Sequence, residues 1–181
     1  MKIRVLGIGN LLMSDEAAGV RIVERLRRYH AFSPAVDLLD GGTSGMELLE
    51  DISGCDHLIV ADAILTGHAP GTLTVLCDEA VPVLFARKIS PHQLGLSDVL
   101  MALRLMEEFP RRLTLVGVEP ETLIPGIGMS AAVRRAVAPA TEVIVKALRL
   151  DGIGVSARRD TAMTAQERIW MECCRAGENH E

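Results

Sequence analysis

Apolar runs of strand length alternate along this chain with longer stretches whose apolar positions recur at helical spacing. Residues 3–9 are short, β-branched and closed by glycine, which predicts a buried strand. Residues 15–29 set Val20, Val23 and Leu26 on one helix face, with Ser14 placed to cap its start. A second strand is expected over 35–39, ending at Asp40-Gly41-Gly42-Thr43-Ser44-Gly45. A short helix over 45–53 would turn Met46, Leu48 and Leu49 inward. Residues 57–62 predict a third strand. Gly67 to Gly71 reads as a turn leading into a strand at 72–77. Residues 80–87 fit neither period. Residues 94–108 carry Leu96, Val99, Leu100, Leu103 and Met106 at helical spacing. Leu113–Val118 is a strand, and Ser130–Leu150 a long helix with a bend expected near Pro139.

This alternation implies βαβ units: an α/β fold, a three-layer α/β/α sandwich whose mainly parallel sheet carries helices on both faces. The 181 residues are expected to form one domain over 1–154. A chain of this length can bury roughly 70% of its unfolded surface without staples. From Val155 the chain turns polar. Residues 155–181 are expected to be a loosely attached tail with at most one short helix, around Gln166 to Cys173, that carries Trp170. Aromatic residues are only 3% of the chain, so the core must come from Leu, Val, Ile, Ala and Met, as in covered parallel sheets.

Charge and cysteine use narrow the function classes. A net charge of −5 argues against a general nucleic-acid partner. No apolar run approaches the ~20 residues that span a bilayer, so no membrane role is expected. Residues 1–5 run straight into a strand without the layout of a signal peptide. Cys55, Cys77, Cys173 and Cys174 lack CxxC spacing, so neither a zinc knuckle nor a disulfide framework is indicated. The expected setting is the reducing cytoplasm. Cys55 and Cys77 lie in or beside apolar segments and read as core residues rather than nucleophiles. His57 opens a strand and reads as structural.

The candidate chemistry gathers at strand ends. After the first strand the chain bends at Gly7 and Gly9 and delivers Asp15 and Glu16 at a helix start. Asp62 ends the third strand, and His92 follows Pro91 just ahead of a helix. Each has a structural account when taken singly: a first-turn acid complementing the helix dipole, a cap, a loop histidine. Together, Glu16, Asp62 and His92 fall at strand ends or helix starts of one sheet, where α/β proteins keep their ligands. Two carboxylates and an imidazole suit a hard or borderline divalent ion and leave coordination positions open. A dinucleotide site would use the same turn, with Asp40 as the ribose acid. Yet Leu12 stands where the third glycine of G-x-G-x-x-G belongs, and Asp15 and Glu16 would repel a pyrophosphate. No P-loop or H-E-x-x-H helix is present.

Five elements in order carry a family resemblance. They are Gly7-x-Gly9-Asn10 with Asp15-Glu16; Asp40-Gly41-Gly42-Thr43; Ala61-Asp62-Ala63; Ser90-Pro91-His92-Gln93-Leu94-Gly95-Leu96; and Val116-Gly117-Val118-Glu119-Pro120. With these the chain resembles the nickel-iron hydrogenase maturation endopeptidases, from Ile3 to about Leu150. It resembles especially the type that processes the large subunit of uptake-class hydrogenases. The resemblance implies a twisted five-stranded sheet between helices. It implies cleavage of a C-terminal extension from the precursor of the large subunit, after nickel insertion. Glu16, Asp62 and His92 would contact the nickel and carry the catalysis. Asp40, Gly41, Gly42 and Thr43 would form a recognition loop. The nickel would arrive with the substrate, with no permanently bound metal. Two other functions are weighed: a nickel-binding chaperone that uses the same three residues and leaves its partner's mass unchanged, and a nucleotide-binding Rossmann-like domain.

Overall fold

The computed structural model describes residues 1–86 and 91–158, and their side chains except at 85, 86 and 91–94. Five strands form the main sheet: β1 (Ile3–Ile8), β3 (Asp37–Gly42), β4 (His57–Ala63), β5 (Leu73–Cys77) and β6 (Arg112–Val118). Their order is β3-β1-β4-β6-β5, parallel throughout except for the antiparallel edge strand β5. The helices are α1 (Ala18–Tyr29), α2 (Leu48–Ile52), α3 (Ala80–Ala86), α4 (Pro91–Leu105) and α5 (Ala131–Leu150).

Strand alternation divides the core in two. Ile3, Val5, Ile59, Ala61, Val116 and Val118 face α1 and α5. Leu6, Ile8, Leu58, Val60, Leu113 and Leu115 face α2, α3 and α4. Because successive side chains take opposite faces, the central strands are apolar on both and read as continuous runs. α5 is capped by Ser130, whose hydroxyl accepts from the Val133 N–H at 3.2 Å, and it continues through Pro139.

Several expectations need correction. The first helix begins with a 3₁₀ turn over Ser14–Ala17, and Ser14 makes no capping bond. Its φ is 48°, and its hydroxyl donates instead to the Ile124 carbonyl at 2.9 Å. Met46 and Met106 lie outside α2 and α4 and are exposed. Cys77 is exposed at the end of β5, where an edge strand has only one covered face, whereas Cys55 is buried and its thiol is pushed up by that burial. The ambiguous stretch after residue 80 is helix α3. The expected polar tail starts in paired structure: β7 (Gly154–Ala157) joins β2 (His30–Ser33) in an antiparallel ribbon. Val155 packs on the core there, which holds the chain to that point. The helix expected near Trp170 lies outside the described residues.

His57 is structural. Its Nδ1 donates to Asp151 Oδ2 at 2.6 Å, and its Nε2 lies 2.9 Å from the Thr114 hydroxyl. A carboxylate can only accept, so Nδ1 carries a proton. Arg112 also donates to Asp151. The network ties the end of α5 to the amino edge of the sheet.

Candidate functional site at the carboxyl edge of the sheet

The chain leaves β1 for α1 and then β3 on one side, and returns to β4 on the other. The order therefore reverses between β1 and β4, the place where open α/β sheets form their ligand crevice. Glu16 follows β1, and Asp62 is the penultimate residue of β4, opposite Gly117 of β6. The two expected carboxylates flank this switch point.

Close backbone approach sets their position. A Cβ on Gly19, in the first turn of α1, would overlap the carbonyl oxygens of Ile8 and Ala61. The helix thus starts directly over the ends of β1 and β4. Gly9 has φ 144°, and a side chain there would overlap the Glu16 carbonyl. Only glycine allows the chain to fold back this tightly. Asp62 is completely buried and Glu16 is 9% exposed, so both carboxylates are nearly withdrawn from solvent. By alternation, Asp62 shares the face of Leu58 and Val60, the side on which α4 packs.

The two adjacent acids have different tasks. Asp15 Oδ2 accepts from the N–H groups of Glu121 and Thr122 at 2.8 and 3.1 Å, and its Oδ1 from Ser130 N–H at 2.6 Å. Asp15 is a structural clamp on the loop after β6, and the expectation of a helix-dipole acid there is superseded. The clamp also leaves no anion-binding helix terminus for a pyrophosphate, because the acids occupy that position.

The 40–43 segment closes the other side. The β1–β3 ladder pairs Gly7 with Asp40 and Ile8 with Gly42, so Gly41 is an extra residue that bends the strand end. Gly9 N–H donates to the Gly42 carbonyl at 2.9 Å, joining the two turns. Asp40 Oδ1 accepts from Gly42 N–H at 3.0 Å and shapes the loop from within. The following Gly45 meets α4: a Cβ on Gly95 would stand 3.0 Å from the Gly45 Cα. α4 runs against the parallel strands, so its first turn, which contains residue 92, lies at this same edge. The His92 side chain itself lies outside the described residues. Among the described residues no group of three or more His, Cys, Asp or Glu could hold a metal.

Glu119 completes the edge. Burial pushes its carboxyl up, but hydrogen bonds from the Thr66 hydroxyl and the N–H groups of Thr66, Gly67 and His68 overcome this and hold it below the ordinary carboxylate value.

A sequence profile described as hydrogenase maturation protease matches residues 20–147. The chain belongs to the hydrogenase maturation protease family. Members of this family are proteases, and two curated relatives are close to this one. The hydrogenase 2 maturation protease of Escherichia coli is 56% identical over 154 residues, covering 84% of this chain and 94% of that protein. The hydrogenase expression/formation protein HupD of Rhizobium leguminosarum is 44% identical over 163 residues, covering 89% and 81%. The solved structure of the hydrogenase maturating endopeptidase HybD from E. coli superposes with a TM-score of 0.85 at 55% identity, covering 87% of this chain and 98% of that one. The five-stranded α/β fold expected from the sequence is thus the fold of this family.

Proposed function

We propose that this family member removes the C-terminal extension from the precursor of a nickel-iron hydrogenase large subunit, once nickel has been inserted. The observation that carries the reading is the pair of buried carboxylates, Glu16 and Asp62, at the β1–β4 switch point, with α4 and its residue 92 starting at the same edge. The maturation-protease names of the close relatives support it.

Nickel enters as part of the substrate. Held by the precursor's own cysteines, it would be completed by Glu16, Asp62 and His92, so that a precursor without nickel lacks the contact that aligns it. In that complex the ion polarises the scissile carbonyl or acidifies a bound water. Alternatively it only aligns the chain, and one of the carboxylates takes the proton of the attacking water. Asp40 to Thr43, fixed to the Gly9 turn, would read the precursor beside the cleaved bond. The setting is the cytoplasm, and neither nucleic acid nor membrane enters the scheme; among the described residues no helix is long and apolar enough to cross a membrane.

The test is intact-mass spectrometry of the precursor, nickel-loaded and nickel-free, mixed with the purified protein. Loss of a C-terminal peptide from the loaded form alone is the expected result. A loaded precursor that binds but keeps its mass would overturn the peptidase reading in favour of a chaperone.

A further inference from the structure

Each of the four parallel strands exits at the carboxyl edge into a loop that exposes a large apolar side chain. These are Leu12 after β1, Met46 after β3, Leu65 after β4, and Ile124 and Ile127 after β6. Leu12, Ile124 and Ile127 are 65%, 67% and 73% exposed. Scattered apolar residues are ordinary on a surface, but a set that surrounds one crevice is a mark of an interaction site.

The β1 and β6 loops are also rigidly joined. Met13 forms a bridge with Gly126, and Gly126 N–H donates to the Leu12 carbonyl at 2.9 Å. Ser14 N–H donates to the Gly126 carbonyl at 3.0 Å, and its hydroxyl holds Ile124. Beneath them, the fully buried Asp15 carboxylate takes the N–H groups of Glu121, Thr122 and Ser130. The fold thus fixes Leu12 and the 124–127 segment against water while giving them nothing to cover. Such a preformed apolar surface loses little freedom when a partner lands on it.

We infer that this ring is the docking surface for the folded large-subunit precursor, which presents an apolar face around its metal-bearing chain end. The inference rests on the function proposed above. The occupant follows from continuity: the loops that carry these side chains leave the same sheet edge as Glu16 and Asp62, so a protein that delivers a chain end to those carboxylates comes to rest on them. Binding energy comes from the ring, and chemistry from the crevice within it.

The experiment measures initial rates of processing of the nickel-loaded precursor by the full chain, with unfolding monitored in parallel. The variants are Leu12→Asp/Ile127→Asp and the milder Leu12→Asn/Ile127→Asn. The control is Met101→Asp/Leu105→Asp, two exposed positions on α4. Charging the ring is expected to raise KM by about tenfold or more, with most of kcat retained at saturating precursor, while the control matches the parent. An unchanged KM overturns the docking surface and leaves the peptidase standing. So does a fall in kcat alone. A parent protein that forms a dimer which the ring variants dissolve, at constant KM, assigns the ring to a second copy and overturns the inference too. If parent and control both leave the precursor's mass unchanged, the peptidase reading falls and the docking inference with it.

Discussion

The Asp15 carboxylate accepts the Ser130 N–H at 2.6 Å, joining the 3₁₀ turn after β1 to the cap of α5, 115 residues away. Ser130 in turn caps α5 with its own hydroxyl. One buried acid therefore determines where α5 begins and where the loop after β6 lies. Its neighbour Glu16 lies on the same short 3₁₀ turn, nearly buried beside the β1–β4 switch point. The scaffold and the candidate chemistry are adjacent in sequence but separable by mutation.

Replacing Asp15 with Ala should cost about 3 kcal/mol of stability, because three buried or half-buried N–H groups lose a charged acceptor together. Chemical denaturation measures this directly. Glu16→Gln, which keeps size and shape, should stay within about 1 kcal/mol of the parent. Equal losses for both variants would contradict this division of labour.

Glu16→Gln, Asp62→Asn and His92→Ala should each cut precursor processing by about 10³-fold, with folding intact. The mass assay gives the rate and circular dichroism the fold. Normal cleavage by the Asp62 and His92 variants would remove the metal-contact reading of this edge.

How much of this was legible follows from where each residue's partners lie. β1, β4 and β6 are buried on both faces, so they read as apolar runs. Their ends could be named, and with them Glu16 and Asp62. The ribbon of β2 and β7 was not visible, because four-residue strands of mixed polarity have no period of their own. α4 begins at Pro91 rather than at 94, since proline's missing N–H costs nothing in a first turn. The task of Asp15 was hidden because its partners are more than 100 residues distant. The apolar tips in the Ile124-Pro125-Gly126-Ile127 loop were visible as letters, but their exposure was not.

Stability should fall on acidification through Glu119. Its folded carboxyl lies below the ordinary value of 4.5, so its contribution is fully present above that pH and is lost as pH falls through the lower folded value. Thr66→Val removes the hydroxyl donor and raises the folded value. An acid-unfolding curve followed by fluorescence or circular dichroism should then show a shallower dependence below pH ~4.5 than the parent's. Identical curves would place the acid sensitivity elsewhere.

Asp151→Asn should cost about 3 kcal/mol, since the side chains of Asp151 and His57 are enclosed and Arg112 loses its carboxylate as well. The network lies at the amino edge, opposite the candidate site. Processing well below the melting temperature should therefore stay within about twofold of the parent, as expected of a distant, independent position. Urea unfolding gives the first quantity and the mass assay the second. A large loss of rate with little loss of stability would mean that the two edges are coupled.

Gly95→Ala tests how firmly the 40–45 segment is seated on α4. The new methyl group would stand 3.0 Å from the Gly45 Cα, a tight contact, and in ordinary contact with the Ser44 carbonyl at 3.5 Å. Both neighbours are backbone, so the contact can be relieved only by moving the 44–45 segment or the first turns of α4. Either shift separates Asp40–Thr43 from residue 92. Helix propensity pulls the other way, since alanine favours α4 by up to ~1 kcal/mol. Global stability should consequently change little, while kcat/KM for the precursor falls by about tenfold from misplacement alone. Gly95→Ser should behave alike or worse, because it adds an oxygen to the same gap. A variant that processes at the parent's rate would show that loop and helix adjust independently and that their contact is packing only.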